Sequence, residues 1–595
     1  MQVKVAQVEK IETMLPAMLV SATYDGMSKS AVLKFYEPTE QKLFLWKDEI
    51  GHKPYCYSKL SPDELDFLQE RDDVLEIKTV KKQDLIQDKE IEMSKITVDN
   101  PLSIGGNYGD SIRNQIETWE SDIKYYETYL YDRKLIVGKY YEVTDGLLKP
   151  HNMEISNEVK LALKSLLWDK VDSNSMIDAE EFKEFISEWA DLLNQPIPKI
   201  KRLSVDIEVE FDPGRFPDPK LAEKRITAIG LKGTDDFDQI FVLKTEGTDQ
   251  GNNELNENIK VTFYDLDKEK EMIADAFKMI EEFPFVLTYN GDEFDLPYLY
   301  NRAERLGISN QDNPLYMMRD SATLKHGVHI DLYRTLSNRS FQIYAFSQSY
   351  TDFTLNSVSK ALLGKEKINY GLDFDKLSLY QTANYCYNDA QLTYELTSFN
   401  GDLLMNLLVI IARIGRMPID DIARMGVSQW IRSLLYYEHR KRNALIPKRE
   451  ELQKRTEGVM SDAVIKDKKY RGGLVVEPKE GIHFKVVVMD FASLYPSIIK
   501  VRNLSYETVR CSHEECKENT VPQTNHWTCS KKNGLTAIII GSLRDLRVNY
   551  YKSLSKKETL TDEQRQQYTV VSQALKVILN ASYGVMGAEI FPLYF

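Results

Sequence analysis

Apolar residues recur along this chain in three registers, and each predicts an element that ends in chemistry-bearing side chains. Leu203, Val205, Ile207 and Val209 alternate with polar neighbours, the signature of a half-buried strand, so Asp206 and Glu208 point to one face. The apolar runs Phe285–Tyr289 and Val486–Met489 predict buried strands. The first hands Asn290 and Asp295 to a turn and a helix start, and the second delivers Asp490 to a cleft before the chain breaks at Pro496. Helical spacing governs the rest. Tyr385 and Asp389 lie four apart on one face of a predicted helix, Leu403–Ile411 and Gly426–Leu435 predict apolar helices, and Ile538–Ile540 leads into another. A polar turn around Leu560–Asp562 starts a helix capped by its threonine or aspartate, on which Lys576, Asn580 and Tyr583 form one polar stripe. Residues 1–195 alternate short strands such as Ala31–Tyr36 with polar helical stretches and hold no cluster of catalytic residue types.

Composition bounds the function. No apolar stretch approaches the roughly 20 residues of a membrane span, the N-terminus lacks a signal-peptide core, and five cysteines do not suggest a disulfide scaffold, so a cytoplasmic location is expected. At 595 residues the chain is too long for one core, and roughly three to five domains are expected. A net charge of −14 argues against binding DNA through overall charge, which leaves local basic patches and carboxylates neutralised by metal.

Paired carboxylates on a strand repel each other unless a cation lies between them, and hard oxygen ligands suit Mg²⁺ or Mn²⁺. Taken alone, Asp206 and Glu208 read as a solvated face, and Asp490 as the wet end of a core strand. Further motifs change that. Ser493-Leu494-Tyr495-Pro496-Ser497-Ile498 resembles the first polymerase motif of the B-family DNA polymerases of archaeal type. D-x-E at 206–208, N-x3-F-D at 290–295 and Y-x3-D at 385–389, in this order, resemble the three proofreading motifs of the DnaQ-like 3′-to-5′ exonucleases as that family carries them. Lys576-x3-Asn580-x2-Tyr583-Gly584 resembles the family's fingers motif, with Ala581 where serine is usual, and Tyr470-x-Gly472-Gly473 resembles its Y-x-G-G element. Lys53–Tyr57 and Trp119–Ile123 resemble pieces of the family's N-terminal domain, without a match to its uracil-sensing pocket.

The resemblance implies a multidomain α/β and α+β fold. Its parts would be an N-terminal domain (1–195), an RNase H-like (DnaQ-like) exonuclease domain (196–400), and a helical connector with the first part of a right-hand polymerase palm (401–535). Two-helix fingers (536–587) and the start of the remaining palm (588–595) would follow. It also implies two-metal chemistry with Mg²⁺ or Mn²⁺. Asp206, Glu208 and Asp389 would be direct exonuclease ligands, Asp295 would hold the second ion through water, Tyr385 would orient the attacking water, and Asp490 would serve the polymerase site. Ser493, Leu494, Tyr495, Arg547, Lys576, Asn580 and Tyr583 would meet the incoming dNTP, Tyr495 by rejecting a 2′-hydroxyl. The usual lysine companion of Arg547 is Tyr551 here, with Lys552 next to it. Primer-template DNA would be contacted by Asn290, Phe294, Tyr470, Gly472 and Gly473. His329 and Asp331 are expected to be structural.

Two features fit less simply. Cys511, Cys516 and Cys529 cluster with His513 and His526 in one polar segment. In a reducing compartment such clustering suggests a structural zinc with His526 or His513 as the fourth ligand, the other reading being free cysteines in a surface hairpin. Nucleotidyl transfer needs a second carboxylate-bearing strand, which the family supplies through a Y-G-D-T-D hairpin, and that motif does not occur in these residues. The expectation is the large N-terminal part of a DNA-directed DNA polymerase with a proofreading exonuclease, completed by a second polypeptide that brings the missing carboxylates, the thumb and contact with a sliding clamp. The alternatives are a free-standing 3′-to-5′ exonuclease whose nonproductive palm serves as a DNA-binding module, and a noncatalytic scaffold.

Overall fold

The computed structural model describes residues 11–594 apart from 49, 107–108, 152, 154–156, 166–176, 211–213, 319–321, 372–375, 457–475 and 523. Strands β1 (Thr13–Asp25), β2 (Ser30–Glu37) and β3 (Lys42–Lys47) form an antiparallel meander, and β4 (Tyr55–Ser58), β5 (Val74–Asp84) and β6 (Lys89–Val98) form a separate sheet in the order β4-β6-β5. Strands β7 (Tyr140–Thr144) and β8 (Leu147–Pro150) return to the free edge of β1, giving the order β3-β2-β1-β7-β8.

A six-stranded mixed sheet carries the first constellation. It contains β9 (Arg202–Val209), β10 (Ile226–Gly233), β11 (Asp238–Leu243), β12 (Lys260–Tyr264) and β13 (Phe285–Thr288), and, after the small hairpin β14 (Leu315–Met317) and β15 (Ala322–Leu324), β16 (Val328–Asp331). The order is β12-β11-β10-β9-β13-β16, with β9 and β10 antiparallel and β13 parallel to both its neighbours. Alternation along β9 does what a half-buried strand requires. Leu203, Val205, Ile207 and Val209 enter a core with helices Glu269–Glu281 and Asp295–Arg305, while Asp206 and Glu208 pair with Gly230 and Ala228 on the opposite face.

Helix Leu379–Gly415 covers that opposite face. Ala383, Cys386 and Tyr387 pack with Ala228, Ile240 and Val242, and the Cys386 thiol lies 3.4 Å from the carbonyl of Asp206. Gly230 permits the approach: a Cβ there would stand 2.8 Å from the Cys386 carbonyl oxygen, a backbone atom that cannot swing aside. This helix is apolar and long enough to cross a bilayer by length and composition, but its backbone breaks at Phe399–Asp402. Buried Arg202 grips the break, pairing with Asp402 and donating to Thr397 Oγ1 at 2.9 Å. Beyond it, Leu403–Ile414 enters the largest core, which runs from Met14 to Leu593 and also takes in helices Val427–Lys441, Leu535–Asp545 and Asp562–Met586. Buried Arg413 ties this half to earlier segments by donating to the carbonyls of Gly138, Gln195 and Pro196 at 2.7–2.9 Å.

The expected strand at Val486–Met489 is not formed. These residues have no strand partner among the described residues, and Val488 and Met489 are 87% and 90% exposed. An apolar run becomes a strand only where a neighbour completes its ladder, and no described strand lies beside this one. Asp490 is exposed with it.

Gly230→Val should destabilise the protein by about 1–3 kcal/mol, because the added methyls meet backbone rather than a movable side chain. Urea denaturation measures this, and an unchanged midpoint would show that the helix does not depend on the contact.

Candidate functional site

The site forms where β9, the helix start at Asp295 and the front half of helix Leu379–Gly415 converge. One carboxylate oxygen each from Asp206, Glu208 and Asp389 lies within 4.8 Å of the others. Burial and mutual repulsion act together here. Burial first, then the charges of Asp389, Asp295 and Glu208, push Asp206 well above the ordinary carboxylate range. Burial and Asp389 push Glu208 up to about 8. Oδ2 of Asp206 and Oδ1 of Asp389 are buried without a hydrogen-bond partner. Hard, unsatisfied carboxylate oxygens at this spacing fit a divalent cation of the Mg²⁺ or Mn²⁺ type.

Asp295 stands beside this group. It opens helix Asp295–Arg305 and accepts a hydrogen bond from the Ile207 amide at 3.2 Å, so it is locked to β9 between the two carboxylates of that strand. Burial pushes it up to about 7. Asn290 occupies a left-handed turn (φ 68°), its Oδ1 buried and unpartnered, and Phe294 is half-buried against Tyr298. Asp331 builds that turn: it accepts from the amides of Asn290 and Asp292 at 2.9 and 3.1 Å and caps helix Leu332–Leu336. His329 is fully buried between Thr288 Oγ1 (2.8 Å) and Arg424 (2.7 Å), with Asp292 paired to the same arginine.

Sequence reasoning missed Lys367. Its Nζ lies 2.5 Å from Asp389 Oδ2 and 5.1 Å from the ring centre of Tyr385, which sits half-buried one turn before Asp389. Although burial works against the cation, the carboxylates raise its pKa, so it stays charged. Asn356 and Asn388 hold its loop by accepting the amides of Lys367 and Ile368 at 2.8 and 3.1 Å. Lys365-Glu366-Lys367 has no periodicity that would set it apart from any charged loop.

A second group assembles around helix Leu494–Val501, whose first turn is opened by Ser493 in a left-handed conformation (φ 56°). Arg547 donates to Ser493 Oγ at 3.3 Å and to the Ser572 carbonyl at 3.2 Å. Tyr495 and Tyr583 stack with centroids 4.3 Å apart and planes 17° apart, both about half exposed. Leu494 and Asn580 are exposed and Lys576 is half-buried. Thr561 caps the helix of Lys576 with a reciprocal Gln564 contact. Tyr551, in the position of the missing lysine, is buried, and Lys552 is exposed. Tyr470, Gly472 and Gly473 lie outside the described residues.

The thiol cluster changes one ligand. Cys511, Cys516 and Cys529 come together with His513, their ligand atoms all within 4.8 Å of one another. His526 is not part of it, because its Nδ1 accepts a hydrogen bond from Arg510 at 2.9 Å.

Residues 116–358 match the family model of the DNA polymerase family B exonuclease domain, and residues 417–594 match that of DNA polymerase family B. The chain is 39% identical over 586 residues to DNA polymerase 1 of Sulfolobus acidocaldarius, covering 97% of this chain and 65% of that one. It is 37% identical to DNA polymerase 1 of Aeropyrum pernix, covering 97% and 60%. Its fold resembles that of the family B DNA polymerase of Pyrobaculum calidifontis, with a TM-score of 0.68 at 17% identity, covering 98% of this chain and 69% of that one. The chain thus spans less than two thirds of the length of these curated relatives. They are single chains and lend no support to the second polypeptide expected from the sequence.

Without metal, the raised carboxylates stabilise the fold only while protonated. For Glu208 that contribution is complete below its ordinary value of 4.5 and lost as pH rises through about 8. The melting temperature of metal-free protein should therefore fall across that window, and added Mn²⁺ should raise it more at the alkaline end. Scanning fluorimetry across the range checks this; an Mn²⁺ shift independent of pH would refute it. Lys367→Met should lower the metal-free melting temperature by a few degrees and enlarge the Mn²⁺ shift, since it removes the internal cation that competes for Asp389.

Proposed function

The chain belongs to DNA polymerase family B, and from that premise we propose that it serves template-dependent DNA synthesis and carries a 3′-to-5′ exonuclease that proofreads the new strand. The observation that carries the exonuclease reading is the convergence of Asp206, Glu208 and Asp389 with two orphaned buried oxygens. The mixed sheet with a carboxylate pair on its central strand and a third on the covering helix supports reading this part of the chain as an RNase H-like, DnaQ-like nuclease.

Asp206, Glu208 and Asp389 would hold the metal ions, with Asp295 as an outer ligand; two bound ions supply water activation and stabilisation of the leaving 3′ oxygen. The protein's own groups do the rest. The Tyr385 hydroxyl, one turn from Asp389, orients the attacking water. Asp331 fixes the turn from which Asn290 and Phe294 meet the strand end, and Asp295 keeps β9 in register with it. Lys367 balances the carboxylate charge and occupies the position at Asp389 that a divalent ion would take. The thiol cluster at 511–529 is too soft a donor set for Mg²⁺ and takes no part in this chemistry.

The nucleotide side is assigned to the second group, read as part of the palm and two-helix fingers. Arg547, Lys576 and the backbone at Ser493 and Leu494 face a triphosphate, Asn580 lines the same stripe, and Tyr495 excludes a 2′-hydroxyl by steric rejection. Since Tyr495 and Tyr583 stack on each other, a nucleotide must part them to enter. Asp490 would supply a ligand to the polymerase metal were its run paired as a strand. A cytoplasmic setting accords with five cysteines that are all free.

Digestion of single-stranded DNA from its 3′ end in Mg²⁺ tests the exonuclease. Asp206→Ala with Glu208→Ala should reduce the rate at least about 10²–10³-fold while leaving the melting temperature of the metal-free protein equal or higher. Retained digestion would sink the site assignment. Arg547→Ala or Lys576→Ala should weaken binding of a dNTP to the protein with primer-template about tenfold, as expected for one lost charge-assisted contact; unchanged affinity would remove these residues from the triphosphate site.

A further inference from the structure

We propose that Cys511, His513, Cys516 and Cys529 bind a structural zinc ion, and that this ion fastens the segment after helix Leu494–Val501 to the turn between β5 and β6.

The donor set is three thiols and one imidazole with ligand atoms within 4.8 Å of one another. A tetrahedral zinc with bonds of about 2.0–2.3 Å holds its ligand atoms roughly 3.5–3.8 Å apart, so closure asks each side chain to move by well under an ångström. Soft thiolates with imidazole select zinc over the hard cations suited to the carboxylate site. Packing does not explain the burial of these cysteines. They are 3%, 0% and 1% exposed, yet their apolar cluster contains only one another and half-buried Trp527.

The surroundings are prepared for thiolate and metal rather than for thiol. The Ser530 amide donates to Cys516 Sγ at 3.3 Å, and the Lys531 amide donates to Cys529 Sγ at 3.4 Å. Amides aimed at sulfur stabilise negative charge there. His513 presents Nδ1 toward Cys529 Sγ at 3.6 Å, while its Nε2 lies 3.2 Å from Asp88 Oδ2. A carboxylate on the far nitrogen fixes the tautomer of a metal-bound histidine and raises its basicity. Asp88 is itself held by Lys532 Nζ at 2.5 Å. A disulfide within the cluster would strand the third thiol and leave the orientation of His513 without a purpose.

The fastening reaches the nucleotide side. Asn503, just after the helix of Tyr495, donates to the carbonyls of Cys529 and Lys532 at 3.0 and 2.9 Å and accepts the Gly534 amide at 2.6 Å, at the start of the helix that leads to Arg547. A zinc ion at Cys529 therefore sets where these two helices begin and end, with Asp88 as its anchor in the N-terminal part of the chain.

The full chain purified without chelator should contain about one zinc per molecule by elemental analysis. Titration of the stripped protein with Co²⁺ should give the intense near-ultraviolet sulfur-to-cobalt absorption of a three-thiolate tetrahedral site. His513→Ala should abolish tight binding, Asp88→Ala should weaken it about 10–100-fold at unchanged stoichiometry, and His526→Ala should leave it unaltered. Should His513→Ala fail to fold, the Co²⁺ spectrum of the unmodified chain still decides the matter. Zinc-free purified protein giving no thiolate absorption with Co²⁺, or a disulfide among these cysteines by mass spectrometry, would overturn the proposal. Release of zinc by His526→Ala would overturn the ligand assignment.

Discussion

The exonuclease half of this protein depends on one close approach, that of helix Leu379–Gly415 to strand β10 at Gly230. Because a Cβ would meet the Cys386 carbonyl at 2.8 Å, only glycine lets the helix sit this low, and the depth brings Asp389 down to Asp206 and Glu208. The contact has an electrostatic cost. Three carboxylates with Asp295 beside them are forced into a cleft where burial and repulsion both oppose ionisation, and Lys367 offsets only part of that. Packing energy from the apolar faces of the sheet maintains an arrangement that its own charges would disperse, which is the condition under which a cation binds strongly.

The helix is fixed at more than its point of contact. Arg202, at the start of the strand that carries Asp206 and Glu208, also holds the backbone break through Asp402 and Thr397. The break lets the front half align with the sheet while the rear half follows the larger core, where Arg413 hydrogen-bonds three carbonyls from Gly138 and the 195–196 segment. These buried arginines, whose hydrogen bonds go to backbone carbonyls, a carboxylate and a hydroxyl, act here as orienting pins rather than as surface charges.

The polymerase half is held differently. Helices Leu494–Val501 and Leu535–Asp545 are braced by the buried ion pair of Lys500 and Asp545 at 2.8 Å, with Gly541 leaving room for the lysine stem. That brace places Ser493, Tyr495 and Arg547 in one neighbourhood, and the zinc site proposed at Cys511–Cys529 would set the far ends of the same helices. Between these firm elements the 486–490 run stays exposed. A carboxylate there gains a fixed position only when its strand is paired.

Local periodicity was enough to read which side chains share a face. The alternation of Leu203–Val209 put Asp206 and Glu208 together, helical spacing did the same for Tyr385 with Asp389 and for Lys576, Asn580 and Tyr583, and the threonine cap at 561 was visible as a turn signal, because each of these depends on neighbours within a few residues. What faces those side chains is non-local, and only the tertiary structure decided it. Gly230 looks like any strand glycine until Cys386 is laid against it, Lys367 like any loop lysine until Asn356 and Asn388 direct its loop inward. Val486–Met489 carries a strand composition, but strand formation is a property of a pair and not of a run. His513 rather than His526 joins the thiols: Arg510 engages His526 Nδ1, while His513 Nε2 meets Asp88, more than four hundred residues earlier in the chain, whose carboxylate becomes a neighbour only after folding.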